Sequence, residues 1–174
     1  MDYEKIKLQP FSLAGAEELF ALVNENRTYL RKTLPWLDTN TELVHTQNFL
    51  NETLEKIQKG ESGMAYFITI EDKIVGVIDT HHIEHDKNMF QVGYWLAEKY
   101  QGRGIITDAC NQVLEEMFAR GFSLAEIRCA VNNPKSCAIA ERLGFEEKDT
   151  LLKESKMYGE MVDMRVWHLE NKAL

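Results

Sequence analysis

The sequence predicts an α/β chain of the α+β kind: a mixed, mostly antiparallel sheet of six to seven strands, flanked by about four helices. Three observations carry this. Short alternating apolar runs separated by tight polar turns mark antiparallel hairpins. Longer stretches with apolar residues every three to four positions mark amphipathic helices. A strand that runs through Gly102-Arg103-Gly104 into a helix, followed by another strand, marks a βαβ-type connection in the second half.

In chain order, residues 4–9 alternate Ile6 and Leu8 with polar neighbours and read as a first strand at the sheet edge, ended by Pro10. Ser12 is placed to cap a helix carrying Leu13, Ala16, Leu19, Phe20 and Val23, with Glu17 and Glu18 near its positive end. Asn26 to Asn40 reads as irregular, because Pro35 disfavours helix at Leu34. A second helix from Thr41 to Lys59 follows from Leu43, Leu50, Leu54 and Ile57, with Gly60 and Gly63 marking its end.

Met64–Ile70 and Ile74–Thr80 form a hairpin across Glu71-Asp72-Lys73, and a loop around His85–Asn88 leads into a strand, Phe90–Ala97. The next helix carries Ile105, Ile106, Ala109, Val113, Leu114, Met117 and Phe118 on one stripe and stops at Gly121. A strand, Ala125–Val131, precedes a short helix capped by Asn133, with Pro134 first and Gly144 just past its end. Phe145–Leu152 and Met161–Leu169 are the last strands, around a turn at Tyr158-Gly159. Without a repeat, linker or low-complexity tract, residues 1–174 read as one domain.

The composition narrows the classes of function. No apolar run approaches the roughly 18 residues of a membrane span, and Met1–Lys5 does not resemble a signal peptide. Cys110, Cys129 and Cys137 lack metal-type spacing and read as reduced core thiols, which implies a cytoplasmic protein without a metal. A net charge of −8 argues against direct binding of nucleic acid and suits an amine-bearing substrate.

The Gly-x-Gly turn carries the chemistry. A strand passing through it into a helix leaves N–H groups unpaired and pointing one way, at the positive end of the helix dipole. Glycine lets a phosphate approach the backbone, and Arg103 adds a positive charge. The expected ligand is therefore phosphate-bearing.

The run Gly93-Tyr94-Trp95-Leu96-Ala97-Glu98-Lys99-Tyr100-Gln101-Gly102-Arg103-Gly104 is followed by Val131-Asn132-Asn133-Pro134-Lys135-Ser136 and Glu141-Arg142-Leu143-Gly144-Phe145. With Leu34-Pro35-Trp36-Leu37 ahead of the second helix, this set resembles the GNAT acetyltransferases, and within them the branch that acetylates the N-terminal amines of ribosomal proteins. The resemblance implies a GNAT fold with a sheet splayed at the acetyl-CoA site, and acetyl-CoA as co-substrate. It implies that the backbone of Trp95, Leu96 and Ala97 pairs with the pantetheine arm. N–H groups from Gln101 through Gly102, Arg103, Gly104, Ile105 and Ile106 to Thr107 would hold the pyrophosphate, and Asn133 and Ser136 would face the pantetheine and thiol. Lys99 stands where the family pattern has Gln or Arg, and keeps the positive charge.

Acetyl transfer to an amine needs a base for the amine, donors for the developing oxyanion and a proton for the departing thiolate. The Tyr that many GNAT enzymes use for the last task is replaced by Ala140, and the resemblance transfers that role to Ser136; helix capping is its alternative reading. For the base, Asp79 and His81 share one face of a strand end, with His82 on the other. Glu98 and Asp163 are further candidates; solvated loop-end or turn positions are the alternative for the histidines and Glu98, and pairing with Arg165 on a strand is the alternative for Asp163. Cysteine catalysis has no support beside direct attack in a ternary complex. The resemblance thus implies an N-acetyltransferase acting on a protein N-terminus, with a homodimer compatible with the family. A small amine (a polyamine or aminoglycoside) as acceptor, or a non-catalytic acyl-CoA-binding module, is the alternative.

Overall fold

A computed structural model of the chain describes residues 5–172. Seven strands form one sheet in the order β1-β2-β3-β4-β5-β7-β6. They are β1 (Lys7–Pro10), β2 (Ala65–Ile70), β3 (Lys73–Glu84), β4 (Met89–Leu96), β5 (Leu124–Ala130), β6 (Glu146–Met157) and β7 (Glu160–Glu170). Every neighbouring pair is antiparallel except β4 and β5. The helices are α1 (Ala16–Glu25), α2 (Arg27–Leu30), α3 (Leu43–Gln58), α4 (Ile105–Ala119) and α5 (Pro134–Arg142).

The strand and helix order is the expected one, and the differences have local causes. Pro10 continues β1, paired with Tyr66, because an edge strand tolerates a missing N–H; Glu4 of the expected strand lies outside the described residues. Ser12 makes no side-chain cap, and α1 begins only after a short 3-10 turn, Leu13–Gly15. The second long helix starts at Leu43, where the Glu42 and His45 side chains cap each other's backbone. The stretch expected to be irregular contains the single turn α2 and a 3-10 turn, Pro35–Asp38. The β2–β3 connection is shorter than expected, since Glu71 and Asp72 both take positive φ (49° and 61°) and make a two-residue turn.

Each strand sends alternate residues to opposite faces. On one face Phe90, Val92 and Leu96 of β4 pack with Ile78, Ile127 and Cys129 against Ile105, Ala109, Val113 and Met117 of α4 and Cys137 and Ala140 of α5. On the other, Val77 and Trp95 pack with Leu19 and Leu22 of α1 and Leu50 of α3. Leu30 and Leu37 extend that layer with Val23. Val131, past the end of β5, is 40% exposed and does not share the inward face of Ile127 and Cys129.

The parallel β4–β5 contact fixes the site. It has three rungs only: Met89–Leu124, Phe90–Ala125 and Gln91–Glu126. Beyond Gln91 the two strands diverge, β4 staying with β3 and β5 with β7. At the last rung Gln91 Nε2 donates to Glu126 Oε1 at 2.9 Å. Glu126 is only 3% exposed, and its carboxylate also accepts from Arg128 Nε at 2.6 Å and from His168 Nε2 at 2.8 Å.

Removing that carboxylate takes the shared acceptor from Gln91, Arg128 and His168, of which Arg128 keeps Glu154 at 3.6 Å. Glu126→Ala is expected to lower the unfolding free energy by about 3 kcal/mol in urea titration. A loss below about 1 kcal/mol would show that the polar cluster does not hold the junction of the two strands.

Candidate active site

The divergence of β4 and β5 opens a groove with backbone groups along one wall. Ala97 N donates to the Val75 carbonyl at 2.9 Å, so Ala97 turns its backbone to β3. Residues of one strand alternate in the direction of their N–H and C=O groups. Trp95, in register with Val77, therefore also faces β3, and Tyr94 and Leu96 present their backbone to the opening. Of the three residues expected to offer backbone groups there, only Leu96 does so, and Tyr94 joins it.

At the groove's mouth, Gly102 and Gly104 hold φ of 73° and 76°, a left-handed conformation that glycine adopts without strain. The first bond of α4 runs from Asp108 N to the Gly104 carbonyl, so the N–H groups of Ile105, Ile106 and Thr107 precede the helical ladder. They stand at the positive end of a fifteen-residue helix, where negative charge is favoured. Arg103 is turned back on its own loop: Nη2 donates to the Lys99 carbonyl at 3.0 Å, and the guanidinium lies 5.5 Å from the Tyr100 ring centroid. Thr107 Oγ1 accepts from Arg142 Nη1 at 3.2 Å, which ties α4 to α5.

Two side-chain bridges cross the groove. Lys135 Nζ donates to Gln101 Oε1 at 2.8 Å, joining the first turn of α5 to the Gly-rich loop. Gln101 Nε2 in turn donates to the Tyr29 hydroxyl, and Lys135 Nζ lies 5.4 Å from the Tyr29 ring centroid. Deeper in, the Tyr94 hydroxyl stands 3.1 Å from Ser136 Oγ and 3.3 Å from the Ser136 carbonyl oxygen. Asn133 does what its capping role predicts, its Oδ1 accepting from Ser136 N at 3.4 Å.

On the other side of β4, Asp79 and His81 meet as their shared face requires, with His81 Nδ1 3.0 Å from Asp79 Oδ1. Gly93, in register with Asp79, makes room for them. A Cβ there would lie 2.7 Å from Asp79 Oδ1 and 2.8 Å from His81 Cε1. His82 takes φ of 46° at a register shift, so the simple alternation ends just past His81. The remaining candidates have other work. Asp163 Oδ1 accepts from Lys153 N at 2.8 Å, while Arg165, its expected partner, lies 3.8 Å from Glu147. Glu98 stays exposed, and its N–H donates to Asn26 Oδ1.

Sequence reasoning missed the side chains of Tyr94, Gln101, Lys135 and Tyr29, and the space at Gly93. Tyr94 stood within the Gly-Tyr-Trp-Leu run, yet nothing in a strand pattern tells which helix its hydroxyl reaches. Burial, with a smaller contribution from the Cys110, Cys129 and Cys137 thiols, pushes the Tyr94 hydroxyl above its ordinary pKa. Among the described residues no group of three or more His, Cys, Asp or Glu is placed to hold a metal, and no helix is long and apolar enough to cross a membrane.

A strand pair that splits beside a Gly-rich helix start leaves a groove with unpaired strand backbone along one wall and helix N–H groups at its mouth. The chain belongs to the GNAT acetyltransferases: the model of the acetyltransferase (GNAT) domain matches residues 5–146. It is an acetyltransferase, and its acetyl donor is acetyl-CoA. The chain is 32% identical over 144 residues to the ribosomal-protein-serine acetyltransferase of Escherichia coli (strain K12), covering 82% of this chain and 79% of that protein. It is similar to the microcin C7 self-immunity acetyltransferase MccE, solved with acetyl-CoA and AMP, at 30% identity and a TM-score of 0.92 over 97% of this chain and 93% of that one. The ribosomal L7/L12 α-N-protein acetyltransferase RimL, solved with coenzyme A, shares the fold at a TM-score of 0.92 and 24% identity, over 97% and 96% of the two chains.

All three cysteines are buried and free. Burial pushes the Cys110 thiol up, and burial with the neighbouring Cys137 thiol pushes Cys129 up to about 12. Thiolate is the reactive form, so neither suits nucleophilic catalysis. Iodoacetamide at about pH 8 is expected to leave Cys110 and Cys129 unlabelled in the native protein and to spare activity. Mass-spectrometric detection of a native adduct on either would contradict this.

Proposed function

We propose that the chain acetylates the N-terminal α-amine of a protein, a ribosomal protein being the class that the name of the E. coli relative points to. The observation that carries the reading is the placement of two polar pairs on opposite faces of the sheet beside the groove: Asp79 with His81 on β3, and Tyr94 of β4 with Ser136 of α5. The amine approaches from the α1 and α3 face, and the donor lies in the groove. Acetyl-CoA supplies the activated acetyl group as a thioester.

On this reading the N–H groups from Gln101 to Thr107 hold the pyrophosphate, and Leu96 and Tyr94 offer backbone to the pantetheine arm. Asn133 orients the turn that carries Ser136. Asp79, an acceptor when ionised, keeps the proton of His81 on Nδ1, which leaves the Nε2 lone pair for the amine proton. A backbone N–H of β4 in the groove stabilises the developing oxyanion. Nitrogen attacks the carbonyl carbon, the C–S bond breaks with its electron pair left on sulfur, and the Ser136 hydroxyl hydrogen-bonds that sulfur. The proton lost by nitrogen stays on His81 and the negative charge on the thiolate, so the step balances in atoms and charge.

A second reading, a small amine as acceptor, is favoured by the likeness to MccE, whose solved complex contains AMP. Thiol release from acetyl-CoA, measured against peptides with free N-termini, a polyamine, an aminoglycoside and an amine-bearing nucleotide, separates the two. Turnover of peptides is expected to exceed that of the small amines by at least about tenfold in kcat/KM. Preference for the nucleotide would replace the first reading by the second.

The crowding at Gly93 gives a separate test. Gly93→Ala drives a methyl between Asp79 and His81. It is expected to lower kcat by about tenfold to a hundredfold while leaving KM for acetyl-CoA unchanged, because the groove lies on the other face. An unchanged kcat would remove the pair from the chemistry.

A further inference from the structure

The hydroxyl of Tyr94 is largely buried beside Ser136, and two acceptors share its one proton. Ser136 Oγ lies 3.1 Å away and the Ser136 carbonyl oxygen 3.3 Å away. These distances permit two arrangements. When the tyrosine proton lies on the carbonyl, Ser136 Oγ–H can donate to the tyrosine oxygen, and its proton is spent inside the pair. When the tyrosine proton lies on Oγ, the serine proton must point elsewhere. The groove adjoins this serine, because α5 carries Ser136 in its first turn, beyond the end of β5.

We propose that Tyr94 is a positioning residue for acetyl transfer, its hydroxyl donating to Ser136 Oγ so that the serine proton is turned toward the departing sulfur. The inference rests on the assignment of Ser136 under the proposed function. It supplies what that assignment lacks. A serine hydroxyl is a much weaker acid than a thiol, so Ser136 cannot end as an alkoxide. Its task is to donate a hydrogen bond as negative charge grows on sulfur, and a hydroxyl that also accepts a hydrogen bond donates a stronger one. Tyr94 remains protonated throughout: burial raises its pKa, so it is a donor at every working pH. No proton leaves the pair. The nitrogen–carbon bond forms, the carbon–sulfur bond breaks with its electron pair left on sulfur, and the proton nitrogen gives up is held on His81 Nε2.

Ala140 stands where many relatives in the family place a tyrosine, and it offers no hydroxyl. Ala140 is fully buried, packed in the same core layer as Cys137. The hydroxyl that faces sulfur is that of Ser136, one turn earlier in the same helix, and the hydroxyl that orients it comes from β4.

A double-mutant cycle tests the inference with the whole chain, acetyl-CoA and an N-terminal serine peptide. Tyr94→Phe keeps the ring in the core and removes only the hydroxyl. It is expected to lower kcat about tenfold, with KM for acetyl-CoA within about twofold of the parent. Ser136→Ala is expected to lower kcat at least as much, and the double variant to match Ser136→Ala, because Tyr94 has nothing left to act on. Losses that multiply in the double variant would overturn the inference, since a packing effect of the ring's environment would persist without Ser136. A slow Ser136→Ala beside an unimpaired Tyr94→Phe would also overturn it while leaving the role of Ser136 intact. An unimpaired Ser136→Ala would remove both, with the failure lying in the assignment of Ser136. Equal thermal midpoints of the variants, checked by circular dichroism, exclude misfolding as the source of any loss.

Discussion

The active-site architecture depends on how short the pairing between β4 and β5 is. Parallel strands gain stability rung by rung, and here the ladder stops after Gln91 and Glu126. What holds the ladder at that length is a side-chain contact at its last rung, with a buried carboxylate that gathers Gln91, Arg128 and His168. Beyond it each strand is satisfied by its other neighbour, so the sheet opens without leaving either strand unsupported. A buried charge is costly unless its partners are complete. Completing them at the fork makes the fork a fixed point.

Everything at the site is arranged around the arm of β4 that leaves this point. Alternate side chains of one strand face opposite layers, so adjacent residues Gly93 and Tyr94 serve different sides of the sheet. Gly93 contributes absence, giving the Asp79 and His81 side chains room that a methyl would fill. Tyr94 contributes a hydroxyl that reaches α5. A split sheet allows groups from both layers to converge where an intact sheet would separate them by its own thickness.

The parts legible in the sequence were those governed by local conformation. Gly102 and Gly104 signal a left-handed turn by their chemistry, and the heptad-like stripe after them signals the helix whose N-terminus they open. Asn133 and Pro134 signal the start of α5 by capping preference. Asp79 and His81 could be placed on one face because period-two alternation holds up to His81. It then fails at His82, a non-glycine residue with positive φ, and nothing in the residue type announces that. Arg103 illustrates a different limit. Its charge suggests an anion, but a long side chain chooses among carbonyls, rings and ligands in three dimensions, and the Lys99 carbonyl and Tyr100 ring lie within reach. The partners of Tyr94 and Gln101 were hidden for the same reason: they lie 42 and 72 residues away in the chain, on elements whose relative placement only the folded sheet determines.

Lys135 and Ser136 are neighbours in sequence, and each holds one of the bridges across the groove. Both belong to the first turn of a nine-residue helix and cannot be displaced independently. The mouth and the interior of the groove are therefore mechanically linked: a shift that pulls Lys135 away from Gln101 also changes the distance from Ser136 to Tyr94. A helix turn of this kind works as a rigid lever with two contact points. The two contacts are thus set by the placement of one turn, not by two separate elements.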